Sequence, residues 1–148
     1  MGLFSRADRP DVEDLRSIAL FASLTDDELA AVAKLAVRKE VAADEVLIDQ
    51  GRFGDSFYVI SEGRANVYMN GDYLASVGPD SAVGEASLLE HRPRNASVVA
   101  EQDMVVAEFG LTEFNKLLDN FPSARIRIAE LLSARVKENT ERTGPDAD

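Results

Sequence analysis

The sequence predicts a mainly β protein with flanking helices: an eight-stranded antiparallel jelly roll, or double-stranded β-helix. Three observations lead there. Short runs of β-branched and aromatic residues recur between turn residues from Val37 to Phe109. Helical periodicity is confined to the stretches before and after them. One segment inside the β region, Val83 to Val98, has the composition of an anion-binding loop. About eight short strands at regular spacing dispose of their free edges by wrapping round one another.

The chain opens on a polar stretch ending at Pro10, and Asp11-Val12-Glu13-Asp14-Leu15-Arg16 then reads as an acidic helix start. Leu20 and Phe21 are expected in the core. Thr25 with Glu28 forms a capping-box pattern, and Leu29, Val32, Ala33, Leu35 and Ala36 follow at helical spacing, predicting a helix from about 25 to 36. From Val37 the period shortens. Val37–Val41 and Glu45–Asp49 are strand-like, and Gln50-Gly51-Arg52-Phe53-Gly54-Asp55 is a turn. Phe57–Ile60, Ala65–Met69 and Tyr73–Val77 follow as strands, with Asn70-Gly71 the strongest hairpin signal between them. Ser97–Ala100 and Met104–Phe109 supply two more. Thr112 to Leu118 then carries Phe114, Leu117 and Leu118 on one helical face. Phe121-Pro122 breaks that helix, and Pro122 suits the first turn of the long amphipathic helix that runs to about Thr140.

The interrupting segment reads V-G-E-A-S-L-L-E-H-R-P-R-N-A-S-V. Gly84 lets the backbone turn and approach a ligand. Glu85-Ala86-Ser87-Leu88-Leu89 can form one helical turn whose first amides point at a negative charge. Arg94, fixed by Pro93, can bring a guanidinium to the same oxygens. A carboxylate at Glu85 would repel a phosphate facing it, so Glu85 is expected to accept hydrogen bonds from hydroxyls of the same ligand. A sugar phosphate combines both groups.

Composition removes several alternatives. The chain has 148 residues, enough for one domain with a sizeable core. It has no apolar run near the ~20 residues of a membrane span, and no signal peptide, so a cytoplasmic location is expected. It has no cysteine and one histidine, His91, which leaves disulfide, thiolate and histidine-cluster metal chemistry without material and argues against an enzyme. A formal net charge of −11 repels a nucleic-acid backbone. Residues 1–10 are expected to form a flexible tail and 143–148 a disordered one. Between them, residues 11–142 form a single domain: N-terminal helices over 11–36, the β-roll over 37–110 and closing helices over 111–142.

Helix, roll, inserted G-E-x-x-L-L-x-x-x-P-R-x-A-S-V and two closing helices together resemble the cyclic nucleotide-binding domain family. From Gly54 to Ala100, G-D-S-F-Y-V-I-S-E-G-R-A-N-V-Y through P-R-N-A-S-V-V-A, the chain is similar without a gap to the regulatory-subunit domains of cyclic-AMP-dependent protein kinase. From Arg94 through the last helix its spacing resembles that of bacterial catabolite activator proteins. The resemblance implies that Gly84 and Glu85 hold a ribose 2′-hydroxyl and that Arg94 pairs with the cyclic phosphate. Backbone amides in the loop of Ala86 and Ser87 and near Ala96 would complete the cradle. Val83, Leu88 and Val98 would line the pocket, and Asn139 and Thr140 would offer polar groups to the purine. Two residues depart from the pattern: Asn66 stands where kinase regulatory domains carry an acid that orients the arginine, and Asn95 follows that arginine where Ala, Ser or Thr is more usual.

The expected function is therefore a stand-alone receptor for a cyclic nucleotide, cAMP favoured over cGMP, with no other cofactor. Ligand binding would be transmitted through the C-terminal helices to a separate effector protein, since no winged DNA-binding domain follows the helices. The alternative is a protein–protein interaction module that keeps the roll without a ligand. The stripe Ile128, Leu131, Leu132 and Val136 serves either to pack on the roll or to pair two chains as a homodimer through the last helix.

Overall fold

A computed structural model of the protein describes residues 12–85 and 93–143, with side chains of residues 14, 132 and 134–143 outside that description. Two four-stranded antiparallel sheets face each other, with strand orders β1-β8-β3-β6 and β2-β7-β4-β5. The strands are β1 (Val37–Val41), β2 (Val46–Ile48), β3 (Ser56–Glu62), β4 (Ala65–Met69), β5 (Asp72–Val77), β6 (Ala82–Val83), β7 (Ser97–Ala100) and β8 (Met104–Gly110). This is the expected jelly roll. The helices are α1 (Val12–Arg16), α2 (Asp26–Ala33), α3 (Leu111–Asp119) and α4 (Pro122–Thr143), with a 3₁₀ turn at Ala19–Phe21.

Strand alternation separates two cores. On β3, Phe57 and Val59 face the helices while Tyr58 and Ile60 face the roll interior, and all four are buried. The helix-side core centres on four rings, Phe21, Phe57, Phe109 and Phe114. Phe57 stacks on Phe109 at 4.9 Å and meets Phe114 of α3 edge-on at 5.1 Å. Leu29 and Val32 of α2 and Ala124 and Ile128 of α4 close over these rings. The interior core runs through Val41, Ile48, Tyr58, Ile60, Ala65, Val83, Val98 and Val106.

The local chemistry sets the ends of these elements. Thr25 caps α2, its hydroxyl accepting from Glu28 N at 3.2 Å while the Glu28 carboxylate accepts from Thr25 N at 2.7 Å. The same Glu28 oxygen lies 2.5 Å from Arg127 of α4, tying the first long helix to the last. Asn70 and Gly71 both have positive φ, +54° and +85°, as a two-residue hairpin turn demands. Helix α2 ends at Ala33 rather than near residue 36, because the chain turns with Leu35 N bonding to Val32 O before β1 begins. Residues 82–83 form a strand that pairs with β3, so the anion segment opens as sheet. The last helix extends to Thr143, beyond the expected end near 140.

Candidate functional site

Arg94 lies at the centre of the site and is held from both ends. Its backbone is clamped by the turn between β2 and β3: Gly51 N donates to Arg94 O, and Arg94 N donates to Arg52 O, each at 2.8 Å. Gly51 has φ +87°, which lets that turn fold back. The same turn is secured further out. Gln50 N donates to the Ser97 hydroxyl at 2.9 Å, and the Gln50 amide exchanges two 2.8 Å bonds with Asn70 at the β4–β5 hairpin.

The Arg94 side chain folds inward and is 8% exposed. Its Nη1 donates to Gly84 O at 3.1 Å and its Nη2 donates to Ser56 O. Two glycines make room for it. A Cβ on Gly54 would overlap the guanidinium, and one on Gly84 would lie 2.8 Å from Nη1 and 3.1 Å from Ile48 Cδ1. Gly84 also has φ +85°, a conformation that side chains with a Cβ adopt only with strain. The sequence therefore needs glycine at both positions to seat one arginine.

Burial pulls the Arg94 guanidinium below its ordinary pKa, because a charge removed from water is destabilised; Tyr58, Asp55 and Glu85, in that order, pull it back up. Tyr58 is pushed up to about 12, first by burial, then by the Glu108 charge and its hydrogen bond to Glu108, with Asp55 adding to the rise and Arg94 opposing it. The site is thus a cation whose charge burial disfavours and whose phenolic and acidic neighbours uphold it.

Of the residues named from the sequence, Gly84, Glu85 and Arg94 come together, Glu85 being 6% exposed. Val83 and Val98 are buried in the interior core beside Ile48. Asn95 is exposed and Ala96 half-buried at the start of β7. Ala86, Ser87, Leu88 and His91 lie outside the described residues, as does the helical turn expected there. Asn139 and Thr140 are on α4, with side chains outside the description. Asn66 sits on the face of β4 opposite buried Ala65, between Ser76 and Val99 of the neighbouring strands. Sequence reasoning missed Gly54, Ser56, Tyr58 and Glu108. The roll-facing parity of Ser56 and Tyr58 was readable from alternation; Glu108 needed the cross-strand register. Next to the site lies a cleft of about 380 Å³ lined by Leu35, Val37, Asp55, Ser56, Glu108, Gly110 and Glu113. Its three carboxylates make it hostile to phosphate. Among the described residues no group of His, Cys, Asp or Glu could hold a metal, and no helix is long and apolar enough to cross a membrane.

Residues 38–121, more than half of the chain, match the family model for the cyclic nucleotide-binding domain. The chain belongs to that family. A curated relative, the cAMP-dependent protein kinase regulatory subunit of Blastocladiella emersonii, is 34% identical over 116 residues, covering 75% of this chain and 29% of the relative. The chain thus spans under a third of that protein's length. Among solved structures, the N-terminal domain of a transcriptional regulator from Streptomyces coelicolor A3(2) has a TM-score of 0.72 and 28% identity, over 91% of this chain and 96% of that one. The catabolite activator protein of Thermus thermophilus has a TM-score of 0.72 and 26% identity, over 83% of this chain and 60% of its own. The two-sheet roll is the cyclic nucleotide-binding domain fold. The family is a regulatory rather than a catalytic one.

Proposed function

We propose that this protein is a cytoplasmic, non-catalytic receptor for a cyclic nucleotide, cAMP in preference to cGMP, whose output lies in a separate effector protein. The observation that carries the reading is the inward-folded Arg94, seated against Gly54 and Gly84 and donating to two backbone carbonyls. A cyclic phosphate at this position meets a guanidinium whose charge burial disfavours, so the incoming anion offsets that cost as well as adding charge-assisted bonds. Gly84 and Glu85, beside the guanidinium, would take the ribose hydroxyl. Asn95, Asn139 and Thr140 are the residues proposed to meet the base.

Signalling out of the site has a short physical route. Arg94 bonds to Ser56 O, and the next residue, Phe57, packs on Phe114 of α3. Helix α4 covers the same core through Ala124 and Ile128 and is pinned to α2 by the Arg127–Glu28 pair. A ligand that binds better to one helix arrangement than to another shifts their populations, and a partner reads the result. Ile128 and Leu131 of the last-helix stripe pack on the helix-side core, so a homodimer through this helix would use its outer side, where Ile126 is 58% exposed. The kinase regulatory subunit among the relatives supports an output that lies in another protein.

Thermal unfolding with cAMP and with cGMP tests the reading. Ligand at 100 times its dissociation constant adds about 2.7 kcal/mol of stability, several degrees in Tm for a domain of this size. No shift with either nucleotide at millimolar concentration would contradict the receptor reading and favour an interaction module that keeps the roll without a ligand.

A further inference from the structure

Gln50 joins two loops that meet beside the site. Arg52 N donates to Asp49 O at 3.2 Å and Gly51 has φ +87°, so residues 49–52 form a β-turn with glycine at its third position. Gln50, at the second position, is held twice. Its backbone N donates to the Ser97 hydroxyl at 2.9 Å. Its side-chain amide closes a ring with Asn70 in the β4–β5 hairpin: Nε2 donates to Asn70 Oδ1, and Oε1 accepts from Asn70 N, each at 2.8 Å. The ring needs a donor and an acceptor on one planar group, which a primary amide supplies.

The residues that follow Gln50 hold Arg94 along its length. The next two clamp its backbone, Gly51 N donating to Arg94 O and Arg94 N to Arg52 O, each at 2.8 Å. Gly54 makes room for the guanidinium, and the Ser56 carbonyl accepts from Nη2. Residues 51–56 thus build much of the arginine's seat as one continuous segment. Its far end is fixed where Ser56 pairs with Gly110 at the start of β3, and its near end is fastened at Gln50. We propose that Gln50 is a positioning residue for ligand binding: by tying the 49–52 turn to the β4–β5 hairpin, it sets the backbone from which Arg94 reaches an anionic ligand. A group held in its working geometry before the ligand arrives has less freedom to lose on binding. The proposal rests on the reading of Arg94 as the phosphate-binding residue.

The test combines amide hydrogen exchange of the ligand-free protein with cAMP titrations of the full chain. Gln50→Ala removes the side-chain ring and leaves the backbone bond to Ser97. The Gly51 and Arg94 amides are then expected to exchange about fivefold faster or more. The Ala100 and Leu111 amides, bonded to Glu45 O and Asp55 O, should keep their rates. The affinity for cAMP is expected to fall about 3- to 10-fold, the usual consequence of a lost hydrogen bond. Asn70→Gly, which keeps the left-handed turn and removes only the side-chain acceptor, should move both readouts the same way by a smaller factor. Gln50→Glu is the rescue. Its carboxylate still accepts from Asn70 N, and the Asn70 amide, turned over, donates to the second oxygen, so affinity should stay within about twofold of wild type. In an Arg94→Lys background, Gln50→Ala should cost less than about twofold more. Unchanged exchange at Gly51 and Arg94, equal acceleration at Ala100 and Leu111, or an undiminished Gln50→Ala cost in the Arg94→Lys background overturns the proposal. If the wild-type protein binds no cyclic nucleotide, the receptor reading fails, and amide exchange still decides whether Gln50 positions Arg94.

Discussion

Replacing Gly54 by alanine separates the binding site from the fold. The added methyl would overlap the Arg94 guanidinium, whereas no other part of the protein crowds that position as closely. The clash is with the far end of a flexible side chain, so the fold can relieve it by letting the guanidinium swing away. Gly54 has no left-handed backbone to strain, and Gly→Ala at such a site stabilises by about 0.4–1 kcal/mol through the unfolded chain. That gain offsets part of one displaced bond, worth about 1.5–3 kcal/mol, leaving stability about 0.5–2.5 kcal/mol below wild type. Binding should respond differently. A displaced Arg94 loses its aim at the ligand, and with it at least one charge-assisted bond to the phosphate, worth about 1.5–3 kcal/mol. The expected loss in cAMP affinity is about 10- to 150-fold. Gly71→Ala is the control: φ there is +85° with nothing within 4 Å, so about 1 kcal/mol of strain should appear in stability with no change in affinity. Urea melts and calorimetric titrations of the two variants supply the data. Wild-type affinity in Gly54→Ala, or a stability loss of several kcal/mol, would refute the seating of Arg94 against that glycine.

Further outcomes follow from the same structure. Tyr58 is held up to about 12 from an ordinary value of 10.0. Below pH 10 its stabilising contribution is whole; between 10 and 12 the unfolded chain ionises first, so stability should fall by up to about 3 kcal/mol, and Tyr58→Phe should flatten that part of an alkaline denaturation profile. A profile unchanged by Tyr58→Phe would show the phenol is not held protonated by the fold. Glu28→Ala removes the carboxylate half of the α2 capping box and the partner of Arg127, and should cost about 2–3 kcal/mol in urea denaturation; a loss under 0.5 kcal/mol would mean α2 and α4 are not joined there. Ile128→Ala, at a fully buried contact of α4 with the helix-side core, should cost about 2–4 kcal/mol.

Features set by neighbouring residues were readable in the chain. Thr25 and Glu28 announce their capping box by spacing alone, Asn70-Gly71 announces its hairpin, and Pro122 marks the start of α4, because each effect acts within four residues. Gly84 and Arg94 were legible for a similar reason: both belong to one loop with a recognisable order. What escaped depends on register. The two-residue strand Ala82–Val83 is too short to show alternation, and its pairing with Tyr58 is what carries Gly84 to the guanidinium. Gly54 reads as a turn glycine, and only the folded position of a side chain forty residues away shows what it makes room for. The link between Tyr58 and Glu108, fifty residues apart, likewise exists only once β3 and β8 are paired.

The most direct test is isothermal titration of the wild-type protein and Arg94→Ala with cAMP and cGMP. Saturable one-site binding to wild type, tighter for cAMP, and a loss of two orders of magnitude or more in Arg94→Ala are expected, since the phosphate would lose its buried cation. Equal affinities for the two proteins would place the ligand elsewhere, and heat from neither nucleotide with wild type would contradict a cyclic nucleotide receptor.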